Sequence, residues 1–358
     1  MQKPSEVPEE ITMGKWYQLT FQQLQPLHIG AGKWGIVNET AIFIPGQTIW
    51  GALVNKYLIE KGVGGEEFQK IKEKFEKISN FFPAFSEDGE FFTPTYQEGE
   101  FGYLLPPQSG NSSEERRFIS ESEFRYSFVD TLLQTAIEPG SRRAKDESLH
   151  EMDYILPTPK NGLPSLSENN PTPSLYWKGI IFLEEEGGFL EEGLELYLGG
   201  DTRYGVGLVR LVKKEALEEP RLFKKWQLST PTPGTEIENP KVEIPEEVPF
   251  LHFVKIIPEI LKESRKSGEQ SGEQSGKEAG DKLGWEGEVE VGVEATFSEN
   301  LPKIGKASYY FSVGTKIFKI PDSSSTSSNS TPPSPILLAG PLKKGRVEEV
   351  EIVRSQGN

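Results

Sequence analysis

The sequence contains no cysteine and only three histidines, His28, His150 and His252. Without thiols there are no disulfides and no thiolate metal sites, and three scattered histidines do not build an imidazole-based one. No metal or other cofactor is expected. No apolar run approaches the roughly 20 residues needed to cross a bilayer as a helix. Residues 1–14 carry no apolar signal core and read as a flexible tail. These absences point to a cytoplasmic protein. A basic excess is also missing: 39 Lys and Arg face 55 Asp and Glu, for a net charge of −16. Such a chain does not coat nucleic acid by bulk attraction. A local basic groove stays open, because physiological salt limits the reach of each charge to about 8–10 Å.

The 358 residues are 35% hydrophobic and 26% charged. That is enough chain for two domains and a substantial core. Residues 15–25 partly alternate and predict a strand. Residues 26–39 read as a glycine-rich turn, and TAIFIPG as a second short strand. TIWGALVNKYLIEKG has helical spacing, with Thr48 as N-cap and Gly62 as stop. Residues 66–79 continue as a charged helix. FRYSFV reads as strand, SLYWKGIIFL as a good strand, and residues 188–200 as a short acidic helix or a strand entry. From about residue 214 the composition turns rich in Pro and Glu. Residues 264–282 and 322–335 are almost without apolar residues and read as disordered loops within a strand-rich segment.

Two glycine-rich stretches stand out. LHIGAGKWG sets Gly30, Gly32 and Gly35 around Lys33 and Trp34; ELYLGGDTRYGVGLVRL sets Gly199, Gly200, Gly205 and Gly207 around Arg203 and Tyr204. Glycine allows positive φ and close approach of a backbone. The bland reading of each is a roomy turn. The sharper one is a backbone pressed against a phosphate chain, with Lys33 and Trp34 serving a phosphate and a base. Neither stretch has the order of a P-loop, and the second leads into a strand where a dinucleotide fingerprint needs a helix. His28, between Leu27 and Ile29, has no visible partner for general-base work and reads as structural. Asp201 beside phosphates would be repelled unless it held a metal or capped a backbone N–H; the cap is the expectation.

Three segments in order resemble the RAMP proteins of CRISPR systems. LHIGAG with the following IPGQTIWGALVNKYL resembles their opening strand, L-H-x-G turn and first helix. TAIEPGSRRAKDESLHEMDYILP resembles a segment of type III RAMP subunits, and LELYLGGDTRYGVGLVRL their glycine-rich loop. The resemblance covers roughly 200 of the 358 residues. It implies an α+β fold: a ferredoxin-like (RRM-like) RAMP domain over 15–213 with long insertions, then a second β-rich, possibly ferredoxin-like domain over 214–358. It implies a non-catalytic, guide-RNA (crRNA) binding subunit of a type III effector ribonucleoprotein acting in antiviral defence. The closest in character is the type III-D cap-type subunit, which grips the 5′ tag. Its partners would be crRNA and, through it, target RNA, other RAMP subunits and a large signature subunit. Residues 137–155 would form a thumb-like hairpin carrying Arg142, Arg143 and Lys145. With it, His28, Gly30, Gly32, Lys33, Trp34, Gly199, Gly200, Arg203, Tyr204, Gly205, Gly207 and Arg210 would line the RNA.

Three alternatives stay open at this point. Backbone RAMP subunits cleave target RNA with an aspartate between the first glycine turn and the first helix, whereas this chain has Asn38 and Glu39 there. Repeat-processing endoribonucleases carry the glycine loop near the C-terminus, and here about 150 residues follow it. A β-rich interaction module without RNA would suit the acidic charge. The RNA reading expects Lys33, Arg142, Arg143, Arg203 and Arg210 on one face.

Overall fold

The computed structural model describes residues 14–62, 68–107, 116–160, 174–184, 188–229, 241–257, 264–266, 282–298, 301–320 and 336–354. The fold is mixed α+β, rich in strands and poor in helices. In chain order come β1 (Lys15–Gln23), β2 (Gly30–Trp34), β3 (Val37–Thr40), α1 (Gly46–Lys61), α2 (Phe68–Lys74), β4 (Phe82–Ala84), β5 (Thr93–Gln97), β6 (Glu100–Leu104), β7 (Phe118–Ser120), α3 (Glu121–Phe128), β8 (Val129–Gln134), β9 (His150–Ile155), β10 (Tyr176–Leu183), β11 (Glu195–Tyr197) and β12 (Leu208–Ala216). Then follow α4 (Pro220–Lys225), β13 (Lys241–Pro245), β14 (Phe253–Lys255), β15 (Ser264–Lys266), β16 (Lys282–Glu286), β17 (Val289–Ser298), β18 (Leu301–Phe311), β19 (Lys316–Ile320), β20 (Ile336–Lys343), β21 (Arg346–Val347) and β22 (Glu351–Arg354).

The central sheet has the order β11-β12-β1-β10-β4, and every pairing in it is antiparallel. β1 takes the middle with Tyr17, Leu19 and Phe21 buried on one face, while Gln18, Thr20 and Gln22 lie on the other. β10 is buried along nearly its whole length. A run such as YWKGIIFL is what a strand covered on both sides requires. Each fully buried Phe, Leu or Ile contributes roughly 1.5–3 kcal/mol relative to exposure.

Several sequence expectations change here. Residues 30–40 form a hairpin, β2 and β3, where a turn was expected. The predicted strand at Thr40–Gly46 shrinks, beyond Thr40 of β3, to a bridge between Ile44 and Phe81. Helix α1 starts before Thr48: Pro45 is the N-cap without a side-chain bond, and the Asn80 Oδ1 accepts from Gly46 N. Gly62 ends the helix in the left-handed region, its N–H reaching Leu58 O. FRYSF, expected as strand, lies in helix α3. Ser120 caps it by accepting from Glu123 N, so the local capping bond outweighs the β preference of the aromatics. The charged helix expected over 66–79 shortens to α2, and 188–200 resolves to β11. Of the two inserts expected to be disordered, residues 267–281 and 322–335 lie outside the described residues; residues 264–266 form β15 and Lys282 opens β16.

The hydrophobic core is continuous across the residue-213 boundary, running from Trp16 through Trp226 to Val350. Asn80 is its polar pin. Its Nδ2 donates to Leu251 O and Gly345 O, while Oδ1 accepts from Gly46 N. Gly345 is required at this junction, since a Cβ there would sit 2.0 Å from Asn80 Oδ1.

Candidate nucleic-acid interface

A four-stranded sheet of order β2-β3-β9-β8 stands beside the central one. β3 runs parallel to β9, with Val37 opposite Glu151. β8 pairs antiparallel with β9 from Val129–Ile155 out to Gln134–His150. The Gly35 turn of the first hairpin and the 135–149 tip of the second therefore project from the same end. The second hairpin continues past the sheet through an Ile137–Ala144 bridge. Its turn closes by Arg142 N donating to Glu138 O and Glu138 N to Arg143 O.

His28 ties these parts to the glycine loop. Its carbonyl accepts from Gly200 N at 3.0 Å, its Nδ1 lies 2.8 Å from Asp153 O, and its ring packs edge-on against Tyr154. It is only 6% exposed. Tyr154 Oη donates to Asp201 Oδ2 at 2.8 Å and accepts from Gln134 Nε2 at 2.7 Å. Burial, then the Asp201 bond, pushes the Tyr154 hydroxyl up to about 12, so it stays a donor at neutral pH. The cap expected of Asp201 is absent: the residue is left-handed, with φ 57°, and its carboxylate holds Tyr154 instead.

The glycines divide by what they touch. A Cβ on Gly199, which has φ +76°, would sit 1.9 Å from His28 O; one on Gly207 would sit 2.6 Å from Leu198 O. These two permit close approach of the chain to itself. Gly200 has His28 Cδ2 at 3.1 Å from a notional Cβ, and the Gly207 N–H donates to Pro26 O. Gly205 and Gly35, both at positive φ, face open space. Gly30 and Gly32 lie on β2, with Gly32 close to the Glu39 carboxylate.

Among the described residues, Lys33, Arg142, Arg143, Lys145 and Arg203 are exposed and make no ion pair. Trp34 is 71% exposed and Tyr204 79%, although Trp34 Nε1 donates to Glu39 Oε2. The glycine loop and the base of the β8–β9 hairpin thus meet at His28, next to the start of β2, while the Gly35 and 138–145 turns project from the far end of the sheet. Arg210 is different: its guanidinium binds Glu195, directly opposite on β11, at 2.7 Å. The basic turn is narrow, since Asp146 and Glu147 follow at once. Among the described residues no three acidic or imidazole groups gather to hold a metal.

Sequence reasoning passed over Tyr154 and Gln134, which orient the loop. It also passed over a set of exposed apolar side chains: Ile36, Leu132, Leu133, Ile137 and Leu149. The consecutive leucines were a legible sign, since adjacent residues of a strand point to opposite faces and both are exposed on β8 at the edge of this sheet. Exposed guanidinium and ammonium groups can bind phosphate oxygens, and flat or apolar side chains can stack on bases.

No protein-family model matches this chain, and no curated protein does. Among solved structures, the Type III-B Cmr-beta bound to cognate target RNA and AMPPnP is similar at TM-score 0.47 and 12% identity, over 85% of this chain and 86% of that one. A second structure of the Type III-B Cmr-beta, bound to cognate target RNA, gives 0.46 and 11%, over 84% and 86%. Cmr4 from Pyrococcus furiosus, in an oligomeric crystal structure, gives 0.26 and 12%, over 57% of this chain and all of that one. Among the described residues no helix is long and apolar enough to cross a membrane.

Proposed function

We propose that this chain is a non-catalytic, guide-RNA-binding subunit of a multi-subunit type III CRISPR effector, of the RAMP kind and in the cap-type position. The observation that carries the reading is that the glycine loop and the β8–β9 hairpin are anchored together at His28, at the start of β2, and that the glycine loop, the β2–β3 hairpin and the β8–β9 hairpin each carry unpaired cations or exposed aromatics. RNA phosphates would lie along Lys33, Arg203 and the Arg142–Lys145 turn. Bases would stack on Trp34 and Tyr204, and the hairpin with Leu132, Leu133 and Ile137 would wedge between nucleotides. The strand order β12-β1-β10-β4, antiparallel throughout, supports a ferredoxin-like core; among the described residues the second crossover has no α-helix, only a 3-10 turn at Thr202–Tyr204. Glu39 is held by the Trp34 indole, which supports a non-catalytic role. On the C-terminal side, Val289, Val291 and Val293 are exposed at alternate positions of β17, with exposed Tyr309 opposite Val291. That apolar edge suits a neighbouring subunit.

The test is to purify the protein gently from its host and sequence the RNA that comes with it. Short RNAs sharing a fixed 5′ tag, together with other protein subunits, are the expected result. An RNA-free monomer would overturn the reading in favour of an interaction module.

A further inference from the structure

An open cleft of about 700 Å³ lies between the central sheet, the 86–90 loop and helix α4. It is separate from the hairpin interface: Gly207 and Lys213 are six residues apart on and before β12, or about 20 Å along a strand. Lys178 of β10 and Lys213 of β12 line the cleft, and between them in the same row sits the buried Thr20 of β1, directly opposite Lys178 on one side and Lys213 on the other. Directly opposed residues share a face.

Two groups in that row are left incomplete. Lys178 is 2% exposed, and its ammonium donates to the Glu87 carbonyl. Among the described residues no carboxylate forms an ion pair with it. A buried ammonium without a counter-charge is costly, and two of its three donors remain unassigned. Thr20 is 1% exposed, and its Oγ1 has no hydrogen-bond partner. Lys213, Lys225 and Arg221 line the same cleft. Each of these already holds a carboxylate: Lys213 binds Asp88 and Glu215, Lys225 binds Glu90, and Arg221 binds Glu219. Asp88 is the most exposed of these, with 83% of its side chain in solvent.

We infer that this cleft is a phosphate-binding site, in which an incoming phosphate takes donors from Lys178, Thr20 and Lys213 and displaces Asp88. A phosphate group sets its oxygens tetrahedrally, so donors converging from different directions can share it, and charge-assisted bonds to it are strong. Four cations and four carboxylates line the cleft, so exchanging the Asp88 carboxylate for a singly charged phosphodiester keeps the balance. Burial, reinforced by Lys225 and Lys213, lowers the Lys178 ammonium to about 8. A bound anion would restore its full charge. The site does not rest on the RNA reading of the hairpins, since free phosphate and the phosphates of a polynucleotide share this chemistry.

The experiment uses the full chain and two probes, inorganic phosphate by calorimetry and a short fluorescent oligouridine by anisotropy. Lys178→Met and Thr20→Val are expected to weaken phosphate binding, Lys178→Met by about tenfold or more, the value of a hydrogen bond to a charged group. Asp88→Asn is expected to strengthen it, roughly threefold, because the internal competitor is gone. A parallel loss of oligouridine affinity in Lys178→Met identifies the source as a polynucleotide; a loss confined to inorganic phosphate identifies a small free phosphate. The proposal is overturned if neither probe binds the native protein, or if folded Lys178→Met binds both as the native protein does. It is equally overturned if Asp88→Asn weakens binding, which would make Asp88 part of the fold and not a competitor.

Discussion

The cations of the hairpin tip and those of the sheet-face cleft carry the same charge in opposite surroundings. At the tip, Arg142, Arg143 and Lys145 stand in water with no ion pair among the described residues. In the cleft, Lys213 and Lys225 are neutralised by the chain itself, and Lys178 is buried against a carbonyl. Counting basic residues therefore says little about where an anion can bind. Availability depends on whether the fold has already spent each charge on a local carboxylate. A protein of net charge −16 can thus present a usable basic edge, provided that its acids are paired or lie beyond the screening distance.

The largest effect expected from breaking this contrast is on stability at Lys178. Its folded value of about 8 lies below the ordinary 10.5 of a lysine. Between these values the unfolded chain holds a proton that the native chain does not, so native stability rises with pH across that window. Below it the full penalty remains, about 3 kcal/mol by the 1.36 kcal/mol per unit conversion. Lys178→Met should be more stable than the native protein at neutral pH, with the gain fading from pH 8 towards 10.5. Denaturant melts at several pH values read this out; a gain independent of pH would exclude the buried charge as its cause.

Next in size is the contrast between free and paired arginines. Replacing Arg142, Arg143 and Lys145 together by Ala should lower single-stranded RNA affinity on the order of a hundredfold at low salt. It should also reduce the salt slope by about 2, at roughly 0.7 per phosphate contact. Arg210→Ala should change affinity less than twofold, because Glu195 already holds that guanidinium. Equal losses in both variants would erase the distinction between the two settings.

The smallest effect separates two glycines of one loop. Gly199→Ala should destabilise by about 2 kcal/mol or more, since it adds a collision with the His28 carbonyl to the positive-φ cost. Gly205→Ala faces open space and should carry only the positive-φ cost, about 1 kcal/mol. Thermal melts of the two variants rank them, and equal losses would remove the His28 contact from the explanation.

Much of the central sheet was legible. β1, β10 and β12 announce themselves by apolar runs, and Gly62 by its place after a helical pattern. Helix α3 was also legible in retrospect, because Ser120 and Glu123 have capping-box spacing, but aromatic FRYSF drew the reading towards strand. The candidate site residues were only half legible. Lys33, Arg142, Arg143 and Arg203 were found as local clusters. Tyr154, Gln134 and the row of Thr20, Lys178 and Lys213 were not, because each acquires its meaning from a residue far away in the chain.

By itself the sequence determined the local terms: no thiol chemistry, an acidic balance, strands where apolar residues run together, and glycines where the backbone must turn. Tertiary structure alone decided which charges remain available. Arg203 and Arg210 are seven residues apart, yet one is exposed without an ion pair and the other faces Glu195 across β11 and β12. Likewise the glycine pair at 199–200 closes on His28, about 170 residues earlier in the chain. Pairing of charges and approach of backbones act through distances of a few ångströms, and those distances exist only once strands have taken their register.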